Sequence, residues 1–120
     1  MPSNDGTEAG FQARISTHIL DTTTGEPARG VSVRLERRDA DGWRTVAEGA
    51  TDDDGRLTCR LAAQVWRPGG YRLFFDVEPY LGDGAFFPEV TIAFRVHDLE
   101  RNYHVPLLLS RYGYTTYRGS

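Results

Sequence analysis

Few residues of this 120-residue chain have the type and setting to do chemistry. There are three histidines, His18, His97 and His104, and one cysteine, Cys59. Arg56 follows an aspartate run in "TDDDGR", and the chain closes on "YTTYRGS". An imidazole titrates near neutral pH and can take a proton from water or return one. A guanidinium offers a planar fork of donors to a carbonyl or an anionic ring. His97 stands beside Asp98 at the end of a strand pattern and fits a surface histidine. His18 and His104 fall mid-pattern among apolar neighbours, where an imidazole can be tuned as a general base. The competing reading makes each a satisfied structural histidine and Arg56 an exposed arginine at a strand start. Cys59 alternates with Leu57 and Leu61, as a small buried hydrophobe would, and is not read as a nucleophile.

Metal chemistry finds little support. "TDDDG" resembles part of a calcium loop but lacks the later ligands and the closing Glu. Two histidines with no Cys or Glu partner at ligand spacing make a poor zinc signature. No glycine-rich phosphate loop is present. The expectation is therefore a site without metal.

The elements that must position these residues read as strands. Turn signals recur at short intervals: "DTTTGEPARG", "DADG", "TDDDG", "RPGG", "LGDG" and "HDLERN". Between them Val31, Val33 and Leu35 alternate with polar residues. Tyr71, Leu73 and Phe75 follow the same rule, as do Ile92, Phe94 and Val96, and Tyr103, Val105, Leu107 and Leu109. This pattern predicts an all-β, antiparallel two-sheet sandwich of about eight strands. They are expected near 11–20, 31–38, 43–50, 56–61, 70–76, 89–97, 102–110 and 112–119. A short helical turn is expected at Glu78–Leu81, limited by Pro79, Gly82 and Gly84. Residues 1–10 read as a loose, disordered tail and 11–120 as one domain.

Two strand faces are unusual. One carries Ser16, His18 and Leu20; the other carries Asn102, His104, Pro106 and Leu108. A sheet face that mixes a histidine with apolar groups is commonly covered by a partner subunit or a ligand. Uncovered edge strands favour oligomerisation in the same way.

The bulk numbers exclude other classes. With 39% hydrophobic and 26% charged residues the chain reads as an ordinary globule rather than a disordered one. A net charge of −3 leaves no basic footprint for nucleic acid. No apolar run approaches the ~20 residues of a membrane span, and the polar start shows no secretory signal. The lone cysteine suits a reducing cytosol, and the final "RGS" does not match the peroxisomal tripeptide. A cytoplasmic location is therefore expected.

Beyond spacing, the residues resemble a known family. "NYHVPLLLSRYGYTTYRGS", Asn102 to Ser120, is similar to the C-terminal signature of the 5-hydroxyisourate hydrolases, the urate-degrading branch of the transthyretin family. "STHILDTTTGEPA", Ser16 to Ala28, resembles the N-terminal signature, "TDDDGRL", Thr51 to Leu57, the central arginine motif, and "FFPEV", Phe86 to Val90, also fits. Three departures stand out: Asn102 where the family reads a first histidine, Arg111 for a usual proline and Thr115 for a usual serine.

The resemblance implies a transthyretin-like eight-stranded sandwich. It implies a homotetramer, a dimer of dimers, with a channel between the dimers. It implies hydrolysis of 5-hydroxyisourate to 2-oxo-4-hydroxy-4-carboxy-5-ureidoimidazoline, with no cofactor. Carried over residue by residue, His18, Arg56, His104 and Ser120 are the expected catalytic residues. Tyr117, Arg118, Gly119, Pro106 and Leu108 join His18, Arg56 and His104 as expected substrate contacts, with Pro106 and Leu108 as apolar walls. The alternatives are a small-ligand carrier like transthyretin and a non-catalytic β-sandwich binding module. A carrier would be expected to lack the Tyr-Arg-Gly-Ser ending and the histidine pair.

Overall fold

A computed structural model describes residues 10–120; apart from Gly10, the expected N-terminal tail lies outside the described residues. The strands are β1 (Phe11–Asp21), β2 (Glu26–Pro27), β3 (Ser32–Asp39), β4 (Gly42–Ala50) and β5 (Arg56–Ala62). They continue as β6 (Gly69–Asp76), β7 (Glu89–Val96), β8 (Tyr103–Leu109) and β9 (Tyr114–Thr116). The short helix α1 (Glu78–Leu81) follows β6, where the sequence placed it. No described helix is long and apolar enough to cross a membrane.

Two sheets form. One holds β1, β2, β5, β8 and β9; the other runs β4-β3-β6-β7. Alternation brings the apolar residues of both sheets face to face, as the sequence pattern requires. Ile15, Ile19, Leu61, Leu107 and Leu109 come from the first sheet, and Val33, Leu35, Tyr71, Leu73, Phe75 and Val90 from the second; all are buried. Trp66 closes one end against Tyr71 and Tyr103, ring centroids 5.8 and 6.0 Å away, and donates Nε1–H to the Leu99 carbonyl. Cys59 is buried in this core, and burial pushes its thiol up to about 11. It has no thiolate near neutral pH, consistent with a packing role.

The sandwich departs from the expected pattern in three places. The β1–β8 pair is parallel, not antiparallel. The chain leaves β7 in one sheet and enters β8 in the other, so β8 meets β1 through a crossover rather than a hairpin. A ninth, two-residue strand, β2, pairs with Leu20 and Asp21 across the "DTTTG" turn. The final strand is also shorter than its pattern. Pro106 points its carbonyl toward β9, accepting from Thr116 Oγ1 at 2.7 Å, but has no N–H to offer that edge. The ladder lapses after Thr116 and resumes as a single bridge, Gly119 N–H to the His104 carbonyl at 2.8 Å.

Two turns fix the ends of β1 and β5. Asp21, buried, accepts from the Thr23 and Thr24 amides through one carboxylate oxygen. Its other oxygen accepts from Tyr80 Oη at 2.8 Å, which ties α1 to the end of β1. Desolvation, aided by the Asp21 carboxylate, pushes the Tyr80 hydroxyl up to about 12. In "TDDDGR", Asp52 Oδ1 accepts from the amides of Asp54 and Arg56, at 2.9 and 3.0 Å. Gly55 sits at φ +73°, and a Cβ there would lie 2.6 Å from the Ile19 carbonyl oxygen. Only glycine allows this close approach, and the Gly55 carbonyl accepts from the Ile19 amide at 2.8 Å. The aspartate run is thus an Asx turn that launches β5 and aims Arg56.

Candidate active site

Strand register assembles the site on the outer face of the first sheet. β1 lies between β5 and β8. Across these strands His18 is opposite Arg56 on one side and Pro106 on the other. One step along the face, Ser16 is opposite Thr58 and His104. Side chains opposite one another in a sheet share a face and sit ~5 Å apart at Cβ, so Arg56 neighbours His18, and Ser16 neighbours His104. Leu20 and Leu108 form the next row outward, both half-buried.

Gly119 covers part of this face. An ideal Cβ built on it would lie 2.5 Å from His104 Cδ2 and 3.1 Å from Pro106 Cγ. The absence of a side chain therefore lets the C-terminal tip lie flat on the imidazole. Beside it opens a groove of about 340 Å³ lined by Ser16, Arg56, Thr58, Asn102, His104 and Ser120. No described Asp or Glu side chain lines it.

Electrostatics distinguish His104. Burial holds its imidazole below the ordinary value, and electrostatic interaction with Arg56 and His18 lowers it further. A hydrogen bond accepted by the Ser16 main chain opposes the shift; the Ser16 hydroxyl lies 2.8 Å from His104 Nδ1. The balance leaves His104 neutral at pH 7, with a nitrogen lone pair available to accept a proton.

The residues expected from sequence divide between two clefts. Arg56, His104 and Ser120 line the groove, Gly119 lies against His104 beside it, and His18 and Pro106 continue its face. Tyr117 and Arg118 instead line a neighbouring cleft of about 200 Å³ with Ile92, Phe94 and Tyr103. There the Arg118 guanidinium lies over the Tyr103 ring, 4.8 Å from its centroid. His104 borders both clefts. His97 is exposed at the far end of β7. Sequence reasoning gave no role to Ser16, Thr58 or Asn102. Period-two alternation with His18 marks Ser16; Thr58 has no such signal, because its place depends on the pairing of β5 with β1.

Comparison with known proteins agrees with this architecture. Residues 15–119 match the model of the family described as HIUase/Transthyretin. A 5-hydroxyisourate hydrolase of Salmonella dublin is 45% identical over 109 residues, covering 88% of this chain and 80% of that protein. The solved structure of Klebsiella pneumoniae 5-hydroxyisourate hydrolase superposes with a TM-score of 0.74 at 34% identity, covering 88% of this chain and 98% of that one. Sea bream transthyretin, solved in complex with thyroxine, superposes with a TM-score of 0.80 at 33% identity, covering 88% and 93%.

Proposed function

Since the chain belongs to the HIUase/Transthyretin family, we propose that it is the hydrolase of that family rather than the carrier, opening the ring of 5-hydroxyisourate in urate degradation. The observation that carries this reading is the placement of a neutral His104 beside Ser16, one row from His18 and Arg56, in a groove that Ser120 also lines. A passive binding site needs no poised base.

The chemistry follows from those positions. His104 takes a proton from water, and the oxygen attacks a ring carbonyl carbon. The carbonyl electrons move to oxygen, and the Arg56 guanidinium stabilises that oxyanion, an effect typically worth ~3 kcal/mol of barrier. The tetrahedral intermediate collapses, the amide C–N bond breaks, and the imidazolium returns its proton to the leaving nitrogen. Water is added across one bond and every proton is accounted for. His18, next to Arg56, holds the ring and shuttles protons. Ser120 positions the water, and Gly119 permits the tip to close over His104. Pro106 and Leu108 form the apolar wall that keeps bulk water out. Tyr117 and Arg118 act from the neighbouring cleft by fixing the tip that carries Gly119 and Ser120.

The working form in this reading is a homotetramer in the cytoplasm. Leu20 and Leu108 form a half-buried apolar row beside the site, which a facing subunit would cover. The buried free thiol of Cys59 is compatible with a reducing compartment. Freshly prepared 5-hydroxyisourate mixed with the protein should lose its ultraviolet absorbance faster than it does spontaneously. Substrate decay at the spontaneous rate, with binding intact, would favour a carrier. Light scattering that gave a fully active monomer would remove the shared channel.

A further inference from the structure

Ser16 stands in parallel register with His104, and its Oγ is 2.8 Å from His104 Nδ1. Both residues are half-exposed on the outer face and line one groove. From this contact we infer that Ser16 is a positioning residue: it accepts the Nδ1–H of His104 and so leaves Nε2 as the nitrogen that exchanges protons with water and substrate. The inference rests on the hydrolase reading of the same groove.

Two constraints give the contact its direction. A neutral imidazole carries one proton, and the partner of one nitrogen decides the state of the other. The Ser16 hydroxyl beside Nδ1 can accept, and the Ser16 main chain also accepts a hydrogen bond from the ring. A ring that donates from Nδ1 satisfies this side and presents a bare Nε2. On the opposite edge of the ring Gly119 packs against Cδ2, the carbon bonded to Nε2. The imidazole is thus held between Ser16 on one side and the tip on the other, and rotation of the ring would break one contact or the other. Thr17 strengthens the register, donating Oγ1–H to the Val105 carbonyl in the buried layer beneath. The groups facing His104 are Arg56 and His18 across the sheet, Ser16 beside it, and Gly119 and Ser120 from the tip. Among the described lining residues no carboxylate side chain competes for Nδ1–H.

The test uses Ser16→Ala, with Ser16→Thr and Ser16→Val as an isosteric pair that differs in the hydroxyl. In Ser16→Ala, kcat should fall about tenfold with KM within about twofold, the loss expected for one orienting hydrogen bond. The acid limb of its pH profile should move to lower pH, because an acceptor that favours the protonated ring has gone. Ser16→Thr should restore both, and Ser16→Val should not. In the free protein, 15N shifts of His104 should show the Nδ1–H tautomer in wild type and a mixture in Ser16→Val. Wild-type kinetics in Ser16→Val, or unchanged tautomer shifts, would overturn the inference. His104→Asn separates this from the underlying reading. If that variant turns over normally the hydrolytic site itself is misassigned; if it is dead while Ser16→Val is normal, only the role of Ser16 fails.

Discussion

Gly119→Ala is a change of one methyl group that tests whether the tip and His104 work as a unit. The added Cβ would sit 2.5 Å from His104 Cδ2, closer than real Cβ contacts come, and a tight 3.1 Å from Pro106 Cγ. Pro106 is buried and backed by β1, so the ring or the tip must yield. If the ring turns away, it loses the 2.8 Å contact between Nδ1 and Ser16. If the tip lifts, it loses the 2.8 Å bond from Gly119 N–H to the His104 carbonyl and carries Ser120 out of the groove. Either way a catalytic group moves by roughly 1 Å, and a displacement of that size costs ~100-fold in rate. The effect on stability is far smaller. One hydrogen bond near the chain end is worth about 1 kcal/mol, or ~5 °C of melting temperature in a domain of this size. Initial rates on fresh 5-hydroxyisourate, measured beside a thermal melt, should therefore show a loss of roughly two orders of magnitude with a nearly unchanged fold. Gly113→Ala is the control: its Cβ would meet only Ser110 Oγ at 3.9 Å, and it should be silent. A Gly119→Ala enzyme within threefold of wild type would refute the idea that the tip clamps the imidazole.

Three further outcomes are expected. Arg56→Ala, changing an exposed side chain, should shift stability by no more than ~0.5 kcal/mol yet lower turnover by ~100-fold or more; unchanged turnover would reduce Arg56 to a surface residue. The pH profile should be flat near neutrality and fall on the acid side as His104 takes up a proton. Its pKa is lowered, so the midpoint of that limb should lie below the ~6.5 of an ordinary imidazole; a midpoint above that value would assign the limb to another group. Deleting Tyr117 to Ser120 should abolish hydrolysis while the sandwich stays folded, since β9 ends at Thr116 before the cut; circular dichroism and initial rates on the truncated protein check both halves.

Much of this protein is legible in its sequence because the pattern is local. The period-two runs at Val31–Leu35, Tyr71–Phe75 and Tyr103–Leu109 place those residues in the core, where they are found. The "TDDDG" and "DTTTG" turns are likewise visible, since a side-chain acceptor two residues from an amide and a glycine at positive φ are properties of a few adjacent residues. What local pattern cannot carry is partnership. That β8 runs parallel to β1, that Ser16 therefore faces His104 and His18 faces Pro106, and that Thr58 reaches the groove all depend on registers between segments 40 to 90 residues apart. The division of the tip is decided the same way. Tyr117, Arg118, Gly119 and Ser120 are adjacent in sequence, yet two line one cleft, one lines the other and one lies flat on His104. The tip leaves the ladder after Thr116, alongside Pro106 of a distant strand, which has no N–H to offer it. Side chains reveal their own preferences in the sequence; which of them meet is set by backbone hydrogen bonds whose two halves lie far apart along the chain.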